Sequence, residues 1–230
     1  MTHYPALILA SVVTAGSLQA QTTAEARESL QAGQYEDAAG VFRTILENDP
    51  SSYDARRDLI RALLATGKYD ASELLAREAP APSSFANTLG EILVLLGRLE
   101  EAAEAFQESI DANARDALTA EVNLAELLFS QGEIDEAMTR FDRFIDIYNA
   151  SDGQLSATEL VAVGRAVRHL GRTNPDLFQD ALRAFDEAAS IAPMWHEPRV
   201  RAGELFLEKY SSTDAQSEFE KVLGVNPRHP

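Results

Sequence analysis

The residues able to do chemistry in this 230-residue chain are few and widely spaced. It has four histidines, His3, His169, His196 and His229, and no cysteine. A zinc hydrolase needs two His four apart with a Glu beside the first, so that one helix face presents both imidazoles. The single His-Glu pair, His196-Glu197, runs into Pro198 and has no second His in reach. There is no Gly-x-Ser-x-Gly for a serine nucleophile and no phosphate loop ending in Gly-Lys-Ser/Thr. Glu133, Asp135 and Glu136 are a candidate cation site, but they open a helical pattern, where carboxylates complement the helix dipole. No catalytic residue, metal site, cofactor or enzyme activity is expected. What stands out is arginine: Arg27, Arg57, Arg61, Arg165, Arg168 and Arg201. A planar guanidinium donates two parallel hydrogen bonds, so it suits carboxylate recognition.

The composition narrows the partners. Net charge is −17, with 37 acidic against 20 basic residues, so nucleic acid is not an expected partner. Hydrophobic content of 45% is enough for a folded core. Without Cys there is no disulfide, thiolate metal site or cysteine-linked lipid. Residues 1–20 lack Lys, Arg, Asp and Glu, and Ala6–Ala15 is an apolar block too short to span a bilayer. Gly16-Ser17 breaks it, and Leu18-Gln19-Ala20 reads as a cleavage region. The expectation is a secretory signal at 1–20, cleaved after Ala20, with no membrane span in the mature chain. The alternative is an apolar first helix packed on the domain.

The elements that would position the arginines repeat along the chain. Gly33, Gly67, Gly97 and Gly132 each follow a helical pattern, and Gly171 is a fifth. Glycine there supplies left-handed backbone at a helix C-terminus. Two residues after each of the first four come Tyr35, Tyr69, Leu99 and Ile134; five after come Ala38, Ser72, Ala102 and Ala137; nine after come Phe42, Ala76, Phe106 and Phe141. Leu59/Leu63, Leu89/Leu93, Leu124/Leu128 and Val163/Val167 are four apart and share a helix face. In Glu121–Ile145, Leu124, Ala125 and Leu128 mark one buried side, and Ile134, Ala137, Phe141 and Phe144 the other. Pro50, Pro193 and Pro227 close units where a helix cannot continue.

These residues resemble the tetratricopeptide repeat, over roughly Thr23 to Pro227. The resemblance implies an all-α, right-handed superhelical solenoid of about six helical hairpins with a concave inner face. The hairpins fall at about 23–50, 52–80, 83–112, 117–148, 154–193 and 195–227, in a domain of 21–230. The second is degenerate, with Ala76 for Phe and an early stop at Pro80-Ala81-Pro82. A polar connector, Asn149–Gly153, precedes the fifth, which carries about five extra residues at Arg172–Asp176, with Asn174-Pro175 as cap and first helical residue. In the sixth, Tyr210-Ser211-Ser212-Thr213 replaces the Gly turn.

In solenoids of that family the first helix of each hairpin lines the groove. The resemblance then places Arg27, Arg57, Arg61, Asn87, Val122, Asn123, Glu126, Phe129, Arg165, Arg168 and Arg201 on the groove. Two positive patches are expected, Arg27/Arg57/Arg61 and Arg165/Arg168/Arg201, around a contact at Phe129. The function this implies is a non-catalytic scaffold for an extended or helical peptide bearing an acidic group or free C-terminus. The alternative is that the arginines pair internally, for example Arg61 with Asp58 or Arg165 with Glu159. Export to a bacterial periplasm or cell exterior follows from the signal and the family resemblance. Arg201–Tyr210 and Asn226–Pro230 also resemble repeats ahead of metallopeptidase-like domains, so a second reading is the docking part of a longer exported enzyme. No solvating helix follows the last pattern, which leaves self-association through the C-terminal end as a further expectation.

Overall fold

The computed structural model describes residues 22–229; the expected signal segment lies outside them. The described residues are all-α, and none of their helices is long and apolar enough to cross a membrane. The described residues divide into two compact units, with the boundary between Leu75 and Ala76.

The first unit contains α1 (residues 22–31), α2 (Tyr35–Asn48), α3 (Tyr53–Ala65) and most of α4 (Tyr69–Arg77). Its core joins Ala26 and Leu30 to Ala38 and Phe42, and these to Leu59 and Leu63. Small residues permit close helix approach, and Phe42, fully buried, fills the space beyond.

The second unit continues through a 3-10 turn at Pro82–Phe85 into α5 (Ala86–Leu95), α6 (Leu99–Asp111), α7 (Ala117–Gln131) and α8 (Ile134–Ala150). Then come α9 (Ala157–Leu170), α10 (Leu177–Ile191), α11 (Glu197–Glu208) and α12 (Ser212–Val225). Consecutive helices pack against one another, and the first helices of successive hairpins also touch: α5 with α7, α7 with α9, α9 with α11. Phe106, Phe141 and Phe185 are buried in this core, as the repeat offset predicts. Phe219 is only half-buried, because no described helix packs outside α12.

The turns separate local rules from context. Gly33, Gly67, Gly97 and Gly132 have φ of 79°, 72°, 73° and 92°, the left-handed cap expected of them. At the Gly132 turn the Glu133 amide donates to the Leu128 carbonyl at 3.0 Å, satisfying an orphan acceptor. Gly171 differs: its φ is −60°, because the inserted residues turn the chain instead. Asn174 does not cap α10; it accepts from the Asp176 amide at 3.3 Å, and the helix begins at Leu177. In the sixth hairpin the left-handed position falls on Tyr210, at φ 61°. Ile134 is another departure from expectation. It starts α8 at the hairpin edge and is 42% exposed.

Two packing devices lie outside the offsets that define the repeat. Gly90, Gly164 and Gly203 lie inside first helices, and a Cβ on each would meet a ring carbon of Phe106, Phe185 or Phe219 at 2.4–2.5 Å. The glycines let the aromatic ring lie on the helix backbone. A polar staple also recurs: Arg56 donates to the Leu75 carbonyl at 2.9 Å, Glu121 accepts from Arg140 at 3.1 Å and Arg199 donates to Glu218 at 3.1 Å. Each joins the two helices of one hairpin across a separation of 19 residues.

Candidate docking face on the first helices

The arginines of the first unit surround one acid. Asp58 on α3 is 1% exposed, and its carboxylate receives Arg27 Nε at 2.6 Å and Arg57 Nη2 at 3.0 Å. Arg61 Nη1 stands 4.0 Å away, and Asp54 takes further contacts from Arg27 and Arg57, both at 3.3 Å. A carboxylate out of water needs such donors. Burial works against the Arg27 charge, but the hydrogen bond and charge of Asp58 outweigh it and raise its pKa further. The expected positive patch is therefore a cluster of three guanidiniums on two carboxylates, positive by one charge, with the Arg61–Asp58 pairing present.

The second unit carries a longer network across four first helices. On α5, Asn87 donates to Glu91 at 3.3 Å. Asn123 on α7 donates through Nδ2 to Asn87 at 2.8 Å and to Glu91 at 3.0 Å. Its Oδ1 accepts from Arg165 Nη2, on α9, at 2.7 Å. Arg165 also grips Glu126 through two contacts, 3.2 and 2.5 Å, and His169 Nε2 lies 3.5 Å from the same carboxylate. Further along α9, Arg168 holds Glu208 with Nε and Nη2 and reaches Glu204 at 3.2 Å. Arg201 on α11 reaches Glu197 at 2.7 Å and Glu204 at 3.1 Å.

The electrostatics follow from these partners. Burial alone would raise the Glu126 pKa, but the His169 contact and the charge and hydrogen bonds of Arg165 hold it at about 2. At Glu91 burial wins over the amides of Asn123 and Asn87 and the charge of Arg165, and pushes the carboxyl above its ordinary range. Arg165 pairs with Glu126 and not with Glu159. Glu159 instead closes a capping box at the start of α9, accepting from the Ser156 amide at 2.8 Å.

The expected groove residues of the second unit thus separate into three groups. Val122 is fully buried in the core, because its position on α7 faces neighbouring helices and not the open face. Asn87 and Asn123 are 4% and 8% exposed and serve as internal connectors. Glu126, Phe129, Arg165, Arg168 and Arg201 remain at the partly open face. Phe129 sits 4.9 Å from the His169 ring, with the Arg172 guanidinium 5.1 Å from its own centroid. Val94, 39% exposed, and Leu207, 51% exposed, occupy the Phe129 position on α5 and α11. Glu91, His169 and Glu208 complete the network. Their signal was present, since each is a polar residue on a first helix, but Asn123 for Glu91, Glu126 for His169 and Arg168 for Glu208 all lie on other hairpins.

Comparison with known proteins is consistent with this geometry. Residues 23–87 and 87–152 match the family model described as tetratricopeptide repeat. The TPR repeat-containing protein MJ1428 of Methanocaldococcus jannaschii is 26% identical over 141 residues, 60% of this chain and 24% of its own length. The chain therefore spans about a quarter of that curated relative. Among solved structures, the APC/C hetero-tetramer Cut9-Hcn1 superposes with a TM-score of 0.53 at 16% identity, covering 92% of this chain and 41% of that one. The human IFIT1 dimer with m7Gppp-AAAA gives 0.53 at 17% identity, covering 82% and 46%. At such identities the likeness shows the fold alone.

Proposed function

From the premise that this chain belongs to the tetratricopeptide repeat family, we propose that it is a non-catalytic scaffold for a protein or peptide partner. The docking face is formed by α5, α7, α9 and α11. One observation carries this reading: Val94, Phe129 and Leu207 present apolar surface beside a guanidinium network already ordered by its own acids. Ordering before binding reduces the entropy that docking must overcome.

The partner segment carries an acidic group or a free C-terminus. Arg168 supports this, because its fork is already set in carboxylate geometry by Glu208, a residue on the exposed rim. A partner carboxylate replaces Glu208 there, while Arg165 stays committed to Glu126. Short peptides with free C-termini, compared with the same peptides amidated, test the reading by interferometry on the immobilised chain. Free peptides should bind about tenfold more tightly, and Arg168→Ala should abolish the difference. Equal binding of both forms removes the carboxylate preference; binding unaffected by Val94→Glu with Leu207→Glu removes the docking face.

The scaffold works in a bacterial periplasm or at the cell exterior. The uncharged residues 1–20 and the Leu18-Gln19-Ala20 region support this. Intact-mass measurement of the chain recovered from an exporting host should find Gln21 at the N-terminus; an uncleaved or cytosolic product overturns it.

A further inference from the structure

A second surface lies away from the arginine network. Between α8 and α10 the second unit opens a cleft of about 940 Å³, the size of a ligand site. Its position has a sequence cause: the polar connector ahead of the fifth hairpin forms one end, with Asp152 at φ 49° and Gly153 at φ 75° making the turn. Leu155, Leu160, Leu182 and Ile191 give it apolar walls. A deeper recess of about 190 Å³ adjoins it, lined by Ile145, Val163, Val167 and Leu177, and Tyr148 and Arg183 border both spaces.

The rim is acidic. Asp152, Asp186 and Glu187 line the cleft against one cation, Arg183, whose guanidinium is taken by Asp180 at 2.9 Å. Among the described residues Asp152 and Asp186 form no ion pair, and Glu187 accepts only the Tyr148 hydroxyl, at 2.9 Å. Partial burial and then the charge of Glu218 push the Asp186 carboxyl above the ordinary range, against the opposing charges of Arg199 and Lys221.

We propose that this cleft docks a basic amphipathic helix of a protein partner. One apolar side chain of that helix enters the deep recess, and flanking Lys or Arg meet Asp152, Asp186 and Glu187. The apolar recess supplies the anchor, and the three rim carboxylates, none in an ion pair among the described residues, supply the sign of the charge. The site is separate from the carboxylate-binding face, so one scaffold holds two partners of opposite charge.

Two labelled synthetic helices of one pattern, Leu with Lys and Leu with Glu, test this by fluorescence anisotropy. The Leu/Lys helix should bind and the Leu/Glu helix should not. Asp152→Asn with Asp186→Asn should weaken the Leu/Lys helix about tenfold, whereas Glu100→Gln with Glu104→Gln on α6 should change it less than about twofold. Equal binding of the two helices overturns the proposal. So does equal weakening by both pairs of variants, which would mark general attraction to an acidic chain. A photo-reactive group at the central Leu gives an independent reading on the unaltered chain. Cross-links to α8 or α10 support the site, and cross-links confined to other helices sink it.

Discussion

Arg165 on α9 holds Glu126 on α7 with two hydrogen bonds, Nε to Oε1 at 3.2 Å and Nη2 to Oε2 at 2.5 Å, between residues 39 apart in the chain. The same guanidinium reaches Asn123, so one side chain ties two hairpins together and orients the amide that reaches a third. The partly open face is thus a rigid polar framework before any partner arrives.

That framework should respond to acid. The folded Glu126 titrates at about 2, below its ordinary 4.5, so its contribution is present above about pH 4.5 and is lost as pH falls through 2. Urea unfolding between pH 2 and 7 should show stability rising with pH across that window. Glu126→Gln should flatten the rise; an unchanged slope would mean the pair contributes nothing.

Removing Arg165 strands its partners. Arg165→Ala leaves Glu126 without its main cation and Asn123 Oδ1 without its donor, and should lower unfolding free energy by about 1–3 kcal/mol. Combining it with Glu126→Ala should recover part of the loss, measured as a double-mutant cycle in urea.

Glu91 should behave in the opposite sense. Its carboxyl is pushed up, so the neutral form is favoured in the fold. That contribution is complete below the ordinary carboxylate range and is lost as pH rises through the folded value. Glu91→Gln keeps an oxygen to accept from Asn87 and Asn123. Its urea midpoint should exceed the parent's at pH 7 and match it at pH 4.

Two glycines should answer Ala with opposite signs. Gly164→Ala places a Cβ 2.4 Å from the Phe185 ring and should destabilise by about 1–3 kcal/mol. Gly40, inside α2, has nothing within 4 Å of the place an added methyl would take, and Gly40→Ala should stabilise by about 0.5–1 kcal/mol. Thermal melts of both variants decide the matter.

Tyr210 is 97% exposed and takes the left-handed backbone that glycine takes in the first four hairpins. Tyr210→Gly should raise stability by about 1 kcal/mol, because the steric penalty disappears without loss of a packed ring. A lowered melting temperature would show that the ring is held by contacts of its own.

The helices, their glycine caps and the small-residue and Phe seam were legible in the sequence. Each depends on neighbours three to five residues away or on a recurring offset within one hairpin. Ala38, Ala102 and Ala137 are accordingly buried without exception. Glycine at 90, 164 and 203 was legible in principle, since Gly90 and Gly203 each precede their Phe by the same interval. It was obscured where the fifth hairpin's insertion shifts the spacing. Pairing within one helix was legible, as Arg61 with Asp58 shows, but pairing between hairpins was not. Whether Arg165 meets Glu159 on its own helix or Glu126 on another depends on the rise and rotation between hairpins, which no offset within a repeat encodes. The same geometry buries Val122, connects Asn87 to Asn123 and brings Arg27 onto Asp58. By itself the sequence determined a chain of helical hairpins with a polar first-helix face, because those properties are local and periodic. Tertiary structure alone decided which of those polar groups are already spent on one another, because that is set by distances between helices far apart in sequence.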